Sequence, residues 1–385
     1  VKKFFIPPKL IQQQHVILLC VLISLICLGL SKFHNQVLGE ITTHSKAVKA
    51  VGEVTRIVYD GRTAFRLTDG CTEAVVVPEI GRVMHYGFIG ETNFLWNSTQ
   101  KNYNKDEWHN WGGDKTWPAP QLWWPAIGGR SWPPDGSWDG SPHKTKILSN
   151  NRLQTMSEIS PGLGALILRE YWFEKDGNFV IRQIVEKKKG DPLLISIWNV
   201  TQIVPTDAIF VPLNPKSPYK QNFHWITPPP NESPVVEATS TLLQLRPLEG
   251  SSSVSHNNYK IGADSLVTAL AAVKNGVAMV ERASHTPGDY PDGAVGSGFS
   301  IEVYNQGDSK LFYNELELLS PLLPLRKGNR IEHTVRWSLQ RLPSNDVTAA
   351  TTRAVIEKLL TTPVTNDKKA MTKLLQTRST TKDLC

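Results

Sequence analysis

Residues 164–203 read GALILREYWFEKDGNFVIRQIVEKKKGDPLLISIWNVTQI. Three β-branched and aromatic runs, 164–173, 178–186 and 193–203, are separated by the turns Lys175-Asp176-Gly177-Asn178 and Lys189-Gly190-Asp191. Short apolar runs bounded by such turns predict strands, because Gly supplies the positive φ that a tight turn needs. Working outward, the pattern recurs. Residues 52–60 alternate around Val54, Ile57 and Val58, and Asp60-Gly61 and Asp69-Gly70 are turn signals. Further strands are predicted over 74–78, 82–88, 150–157, 235–245, 267–272, 276–282, 298–304, 310–319 and 329–340. No long amphipathic helix is read before residue 345. Many short strands without alternating helices predict an all-β protein, a sandwich or a barrel. The strand-bearing span, residues 50–342, exceeds the usual immunoglobulin-like size, so a large antiparallel β-sandwich of two sheets fits best.

The formal charge of +7 is carried at the ends. Lys2, Lys3, Lys9 and Lys32 stand in residues 1–39 without an acid, and residues 345–385 are also net basic. The middle sums to zero, which argues against a nucleic-acid partner. The run Val16 to Leu30 is interrupted only by Ser24 and Gly29 and follows three lysines. This is the layout of a secretory leader, with Val37-Leu38-Gly39 offering a cleavage point before Glu40. Retained, residues 16–30 would instead give membrane attachment, although the run is short for a span of roughly 20 residues. Either outcome places the remainder outside the cytoplasm: secreted, periplasmic or in the cell envelope. The expected division is a leader or anchor at 1–39, a β domain at 40–344 and a flexible or partly helical tail at 345–385. Within the tail, 349–360 could form a helix. Cys20, Cys27, Cys71 and Cys385 form no CxxC pair or Cys/His cluster. That argues against structural zinc and against a disulfide framework, and no cofactor or metal is expected.

Most of the tryptophans fall between Glu107 and Trp138, in a stretch also rich in Gly and Pro. Indoles can stack on a sugar ring or fill a core. Glycine admits close approach of a ligand, and proline stiffens a loop. Read as a loop, the stretch carries Asp114 and Lys115 side by side, either as hydroxyl partners or as mutual neutralisers. Sugar faces held on Trp111 or Trp117, with hydroxyls on Asp114 and Lys115, would make this a carbohydrate site. The alternative is a loop packed on its own aromatics.

Three groups of segments stand out: Pro78-Glu79-Ile80-Gly81-Arg82-Val83-Met84 followed by Gly90-Glu91-Thr92-Asn93-Phe94-Leu95-Trp96; His109-Asn110-Trp111-Gly112-Gly113-Asp114-Lys115-Thr116-Trp117; and Tyr290-Pro291-Asp292-Gly293, Glu315-Leu316-Glu317-Leu318-Leu319-Ser320-Pro321 and Arg336-Trp337-Ser338-Leu339. Together they resemble the galactose-mutarotase-like superfamily of sugar epimerases, and most closely an uncharacterised bacterial branch of it. The first group resembles its opening strand and turn, the second its Gly-Gly loop, and the third the uncharacterised branch. The resemblance covers about residues 50–342. It implies a β-supersandwich with a sugar-sized groove and, in the enzymes, a glutamate base assisted by histidine. Glu317 or Glu315 stands where that base is expected, Arg82 matches the early arginine, and His109 matches the first histidine. Gln202 stands where the second histidine belongs; it can hydrogen-bond a sugar but cannot act as a general acid at neutral pH.

Exchange of sugar anomers needs a proton taken from the anomeric hydroxyl and another given to the ring oxygen. Glu315 and Glu317 are two apart, so on a strand they share a face, and their repulsion would raise one pKa. They could equally line a solvated face or pair with Arg82 or Lys115. His85 on its strand could face the groove, and Asp292 could accept a hydroxyl or simply cap a turn. The expected protein is an exported carbohydrate binder, with an epimerase-like isomerase and a non-catalytic binding or envelope module as alternatives.

Overall fold

The computed structural model describes residues 51–361, except 101–102, 105–106, 251–256, 295 and 297. The leader read at 1–39 and the tail beyond 361 lie outside the described residues. Among the described residues no helix is long and apolar enough to cross a membrane.

Two antiparallel sheets of eleven and ten strands form the body, as the strand pattern predicted. The eleven-stranded sheet runs in the order Glu53–Tyr59, Arg62–Thr68, Thr72–Val77, Arg82–Phe88, Asp114–Ala119, Leu193–Ile203, Tyr313–Leu319, Ile301–Gln306, Tyr259–Ala263 and His224–Trp225. Leu323–Leu325 pairs separately with Leu193–Ile203. The other sheet runs Val235–Ala238, Leu242–Leu245, Ala208–Pro212, Ala269–Lys274, Val277–Ala283, Arg330–Arg341, Phe179–Lys187, Ala165–Phe173, Arg152–Met156 and Lys144–Leu148. Period-two alternation sends one apolar set from each sheet inward. Tyr86 and Leu316 from the first sheet meet Phe179, Met279 and Trp337 from the second in one core. Trp337 meets Tyr86 edge-on at 5.2 Å, the favoured aromatic geometry.

The stretch read as one long loop is not one. Asp114–Ala119 is a central strand, paired along its length with Leu193–Ile203. Its only pairing with Arg82–Phe88 is Val83 with Asp114, so a side of the strand is open where Pro118 stands. Gly112 and Gly113 lead into it at φ 86° and 66°. A Cβ on Gly113 would stand 2.2 Å from the Val83 carbonyl oxygen, so only glycine permits this close crossing. A short helix, Trp124–Gly128, follows the strand, with proline in its first turn.

The predicted strand over 235–245 is two strands, because Thr239 turns the chain between them by accepting from the Leu242 amide at 2.9 Å. The helix expected in the tail forms as Ala350–Thr361 and is not a bare appendage. Ile356 and Leu360 are buried against Phe210, Ala271, Val273 and Val280 on the outer face of the ten-stranded sheet. Cys71 is disulfide-bonded.

Candidate functional site

The outer face of the eleven-stranded sheet carries a row of polar side chains. Leu316, Leu318, Ile301, Val303, Tyr259 and Ile261 point into the core. The pleat therefore turns Glu315, Glu317, Glu302, Tyr304 and Lys260 outward. Register brings them together: Glu317 lies opposite Val200 and Glu302, and Glu315 lies opposite Gln202 and Tyr304.

At one end of the row, Lys115 Nζ lies 3.1 Å from Glu315 Oε1, and Gln202 Nε2 donates to the same oxygen at 2.9 Å. Among the described residues Glu315 Oε2 accepts nothing. The Glu315 side chain is 10% exposed, against 0% for Glu317 and Glu302. Burial lowers the Lys115 pKa; Glu315 works against this and Arg82 with it. Burial and Glu315 push the Tyr304 phenol up to about 12, so it stays protonated as a donor.

Deeper in the row, Lys260 Nζ contacts both Glu302 Oε2 at 2.6 Å and Glu317 Oε2 at 3.0 Å, while Trp198 Nε1 donates to Glu317 Oε2 at 2.8 Å. Burial works against the Lys260 ammonium, but the two carboxylates outweigh it and raise the pKa. Burial raises Glu302 well above the ordinary carboxylate range and raises Glu317 as well. One cation between two dry carboxylates neutralises one of them, and a proton on the other avoids a buried net charge. Asp292, at a left-handed turn position, interacts with Lys260 and Glu302 at the end of the row.

Other expected site residues are placed differently. Asp114 points into the space between the sheets, where it pairs with Arg169 and accepts from Asn199 at 2.9 Å and Thr201 at 3.1 Å. Adjacent residues on a strand face opposite ways, so Asp114 and Lys115 never meet. Arg82 is fully buried, paired with Asp139, and donates to the Gly112 carbonyl at 2.7 Å; its guanidinium fixes the Gly-Gly crossing. Trp117 is sealed inside, edge-on to Trp124 and Trp198, with Lys115 Nζ 4.7 Å above its ring. His109 is stacked on Tyr103 at 4.6 Å and meets Trp111 edge-on at 4.4 Å. Burial, then Arg82 and Arg62, lower its pKa, so it is neutral near pH 7. His85 lies 3.6 Å from Glu73, with no contact to the Glu315 row. Trp111 lines a separate hollow of about 550 Å³ with Tyr59, Arg62, Asn97 and Tyr103, and Arg62 covers its ring at 4.6 Å.

Glu302, Lys260, Trp198 and Asp139 were missed from the sequence. Lys260 and Glu302 lie on short strands and Asp139 in a turn, where a charged residue reads as an ordinary surface position, and Trp198 lies in an apolar strand where an indole reads as core. Only pairing register reveals that Glu302 faces Glu317.

No family model matches the sequence, and no curated protein matches it. Solved structures do. A candidate aldose 1-epimerase from Klebsiella pneumoniae subsp. pneumoniae MGH 78578 is 11% identical, covers 82% of this chain and 91% of its own, and superposes with a TM-score of 0.52. A candidate mutarotase from Salmonella typhimurium is 10% identical over 79% of this chain and 99% of its own, at 0.49. A galactose mutarotase-like protein from Lactobacillus casei ATCC 334 is 9% identical over 74% and 100%, at 0.48. The class defined is a two-sheet antiparallel β-supersandwich. In particular, the chain shares the fold of the Klebsiella pneumoniae aldose 1-epimerase candidate.

Proposed function

We propose that the protein binds carbohydrate on the outer face of the eleven-stranded sheet and exchanges a hydroxyl proton there through Glu315. The observation that carries this reading is the asymmetric tethering of Glu315. Oε1 is held by Lys115 and Gln202, while Oε2 accepts nothing among the described residues and the side chain is the reachable carboxylate of the row. A carboxylate fixed on one oxygen presents the other with little orientational freedom left to lose. Lys115 pairs with Glu315, and its own lowered pKa makes its ammonium a better acid than an ordinary lysine. Glu317, the other expected base, is fully enclosed, and we assign it to holding Lys260 and Trp198 in place. The shared fold of the aldose 1-epimerase candidate supports the sugar class. The basic residues and apolar run at the amino terminus support export.

A second reading, sugar binding without turnover, is favoured by His109. It is neutral and packed between Tyr103 and Trp111, with no hydrogen bond or ion pair to Glu315 among the described residues. Exchange NMR on the full chain with galactose and glucose separates the two. Anomer exchange above the buffer rate, reduced about 100-fold or more in Glu315→Gln, is the expected result, since a positioned base contributes typically that much. Binding without faster exchange selects the non-catalytic reading. If neither sugars nor a broad glycan panel bind, the carbohydrate reading is wrong.

A further inference from the structure

The segment that follows the strand Asp114–Ala119 exposes several large apolar side chains. Leu122 is 84% exposed, Trp132 48% and Trp123 37%. Trp132 is held on three sides. It lies nearly parallel to Trp124, with ring centres 6.2 Å apart and planes 15° apart. Trp108 meets it edge-on at 4.9 Å and Trp117 at 6.0 Å. These partners are themselves pinned: Trp124 Nε1 donates to the Pro118 carbonyl at 2.7 Å, and Trp108 Nε1 to Asp139 Oδ2 at 2.9 Å. The exposure of Trp132 therefore falls on the side turned away from Trp124, in an orientation the ring cannot easily leave.

This indole is joined to the polar row. Trp117, which Trp132 touches, lies beneath Lys115 Nζ, and Lys115 holds Glu315. Trp117 and Lys115 thus link the exposed ring to the presented carboxylate. Sugars carry an apolar C–H face that an indole covers well, while their hydroxyls need partners like those in the row. A pre-positioned aromatic loses little conformational entropy on binding.

We propose that Trp132 is the stacking platform of a second sugar subsite, so that the saccharide recognised is an oligosaccharide rather than a free hexose. One unit lies over Glu315 and a neighbouring unit lies on Trp132. This rests on the carbohydrate reading above and specifies its substrate class.

The test compares wild type, Trp132→Ala and Trp132→Phe in the full chain. The probes are glucose, galactose and N-acetylglucosamine, each beside its β-1,4-linked tetramer, with affinities from calorimetry or saturation-transfer NMR. Because Trp132 packs against three other indoles, Trp132→Ala is expected to melt below wild type and Trp132→Phe nearer to it, and a thermal scan sets a temperature at which all three are folded. At least one tetramer should bind more tightly than its monomer. The tetramer-to-monomer affinity ratio should fall about tenfold in Trp132→Ala, with much of it restored in Trp132→Phe. A ratio unchanged by Trp132→Ala, or tetramers no tighter than monomers, overturns the second subsite and leaves the carbohydrate reading standing. No binding of any probe, with Trp132-dependent binding to phosphatidylcholine vesicles instead, overturns both.

Discussion

Glu281 stands fully buried in the interior of the sandwich. Burial, and next the Asp114 carboxylate, raise its pKa well above the ordinary 4.5. The folded chain thus keeps a proton that the unfolded chain releases. This contribution to stability is complete below the unfolded value and is lost as pH rises through the folded pKa. Glu281→Gln keeps the shape of the neutral acid and removes the titration. Its stability relative to wild type, from urea denaturation between pH 5 and 8, should improve with pH by up to about 1.4 kcal/mol per unit. A pH-independent difference would mean that no proton is held there. The sequence contained part of this. Glu281 follows Val277 and Met279 at strand spacing, and an acid on an otherwise apolar face is a buried acid. The same logic made Glu315 and Glu317 legible as same-face neighbours. It failed for Asp114 and Lys115, because reading them as mutual partners assumed a loop, and a pleated strand separates them. It also could not show that Glu302 meets Glu317, since register between strands is set by the whole sheet.

The helix Ala350–Thr361 illustrates what an element contributes beyond its own propensity. Thr352, Ile356 and Leu360 recur at helical spacing and are its buried residues. A stripe this narrow would not hold a helix alone in water. Its seat is the outer face of the ten-stranded sheet, where Ala269, Ala271 and Ala278 leave room for it. Arg353 pairs with Glu237 on the edge strand, and Arg282 Nη2 donates to the Leu359 carbonyl at 2.6 Å. Leu360→Ala should cost about 2–4 kcal/mol, the usual range for truncating a buried leucine, and lower the urea midpoint of the whole domain. A midpoint that does not move would show the helix to be outside the cooperative unit. The Thr-, Lys- and Ala-rich tail hid this docking, although the strand ALAAVK at Ala269–Lys274 carried a hint, since small residues on both faces of a strand imply close neighbours on both sides. Asp114–Ala119 was hidden for the opposite reason: its flanking Gly-Gly and its internal proline are ordinarily loop chemistry, and they are tolerated here by a close strand crossing and an open strand side.

Across the whole molecule, strand content and the two-sheet architecture followed from alternation and turn residues, whereas strand order did not. Asp114–Ala119 lies beside Leu193–Ile203, which in turn lies beside Tyr313–Leu319, so the central sheet joins segments remote in sequence. Such contacts form only with most of the chain in place, which makes the centre rise and fall with the global fold. The ends differ: Glu53–Tyr59 and Lys144–Leu148 are terminal strands with mostly exposed side chains. Amide exchange should separate the two classes. Val200, Gln202, Leu316 and Leu318 should exchange only through global unfolding, while Val54, Lys146 and Ile147 should exchange through local fraying. This bears on function, because Lys115, Gln202 and Glu315 are all carried by the central strands, and a site built there is held in place before any sugar arrives. Saturating saccharide should accordingly leave the protection pattern of these strands in place and slow exchange mainly in the aromatic loop around Trp132. If the amides of Val200 and Leu316 exchanged as fast as that of Lys146, the polar row would sit on a fluctuating sheet, and tethering of Glu315 could not orient it.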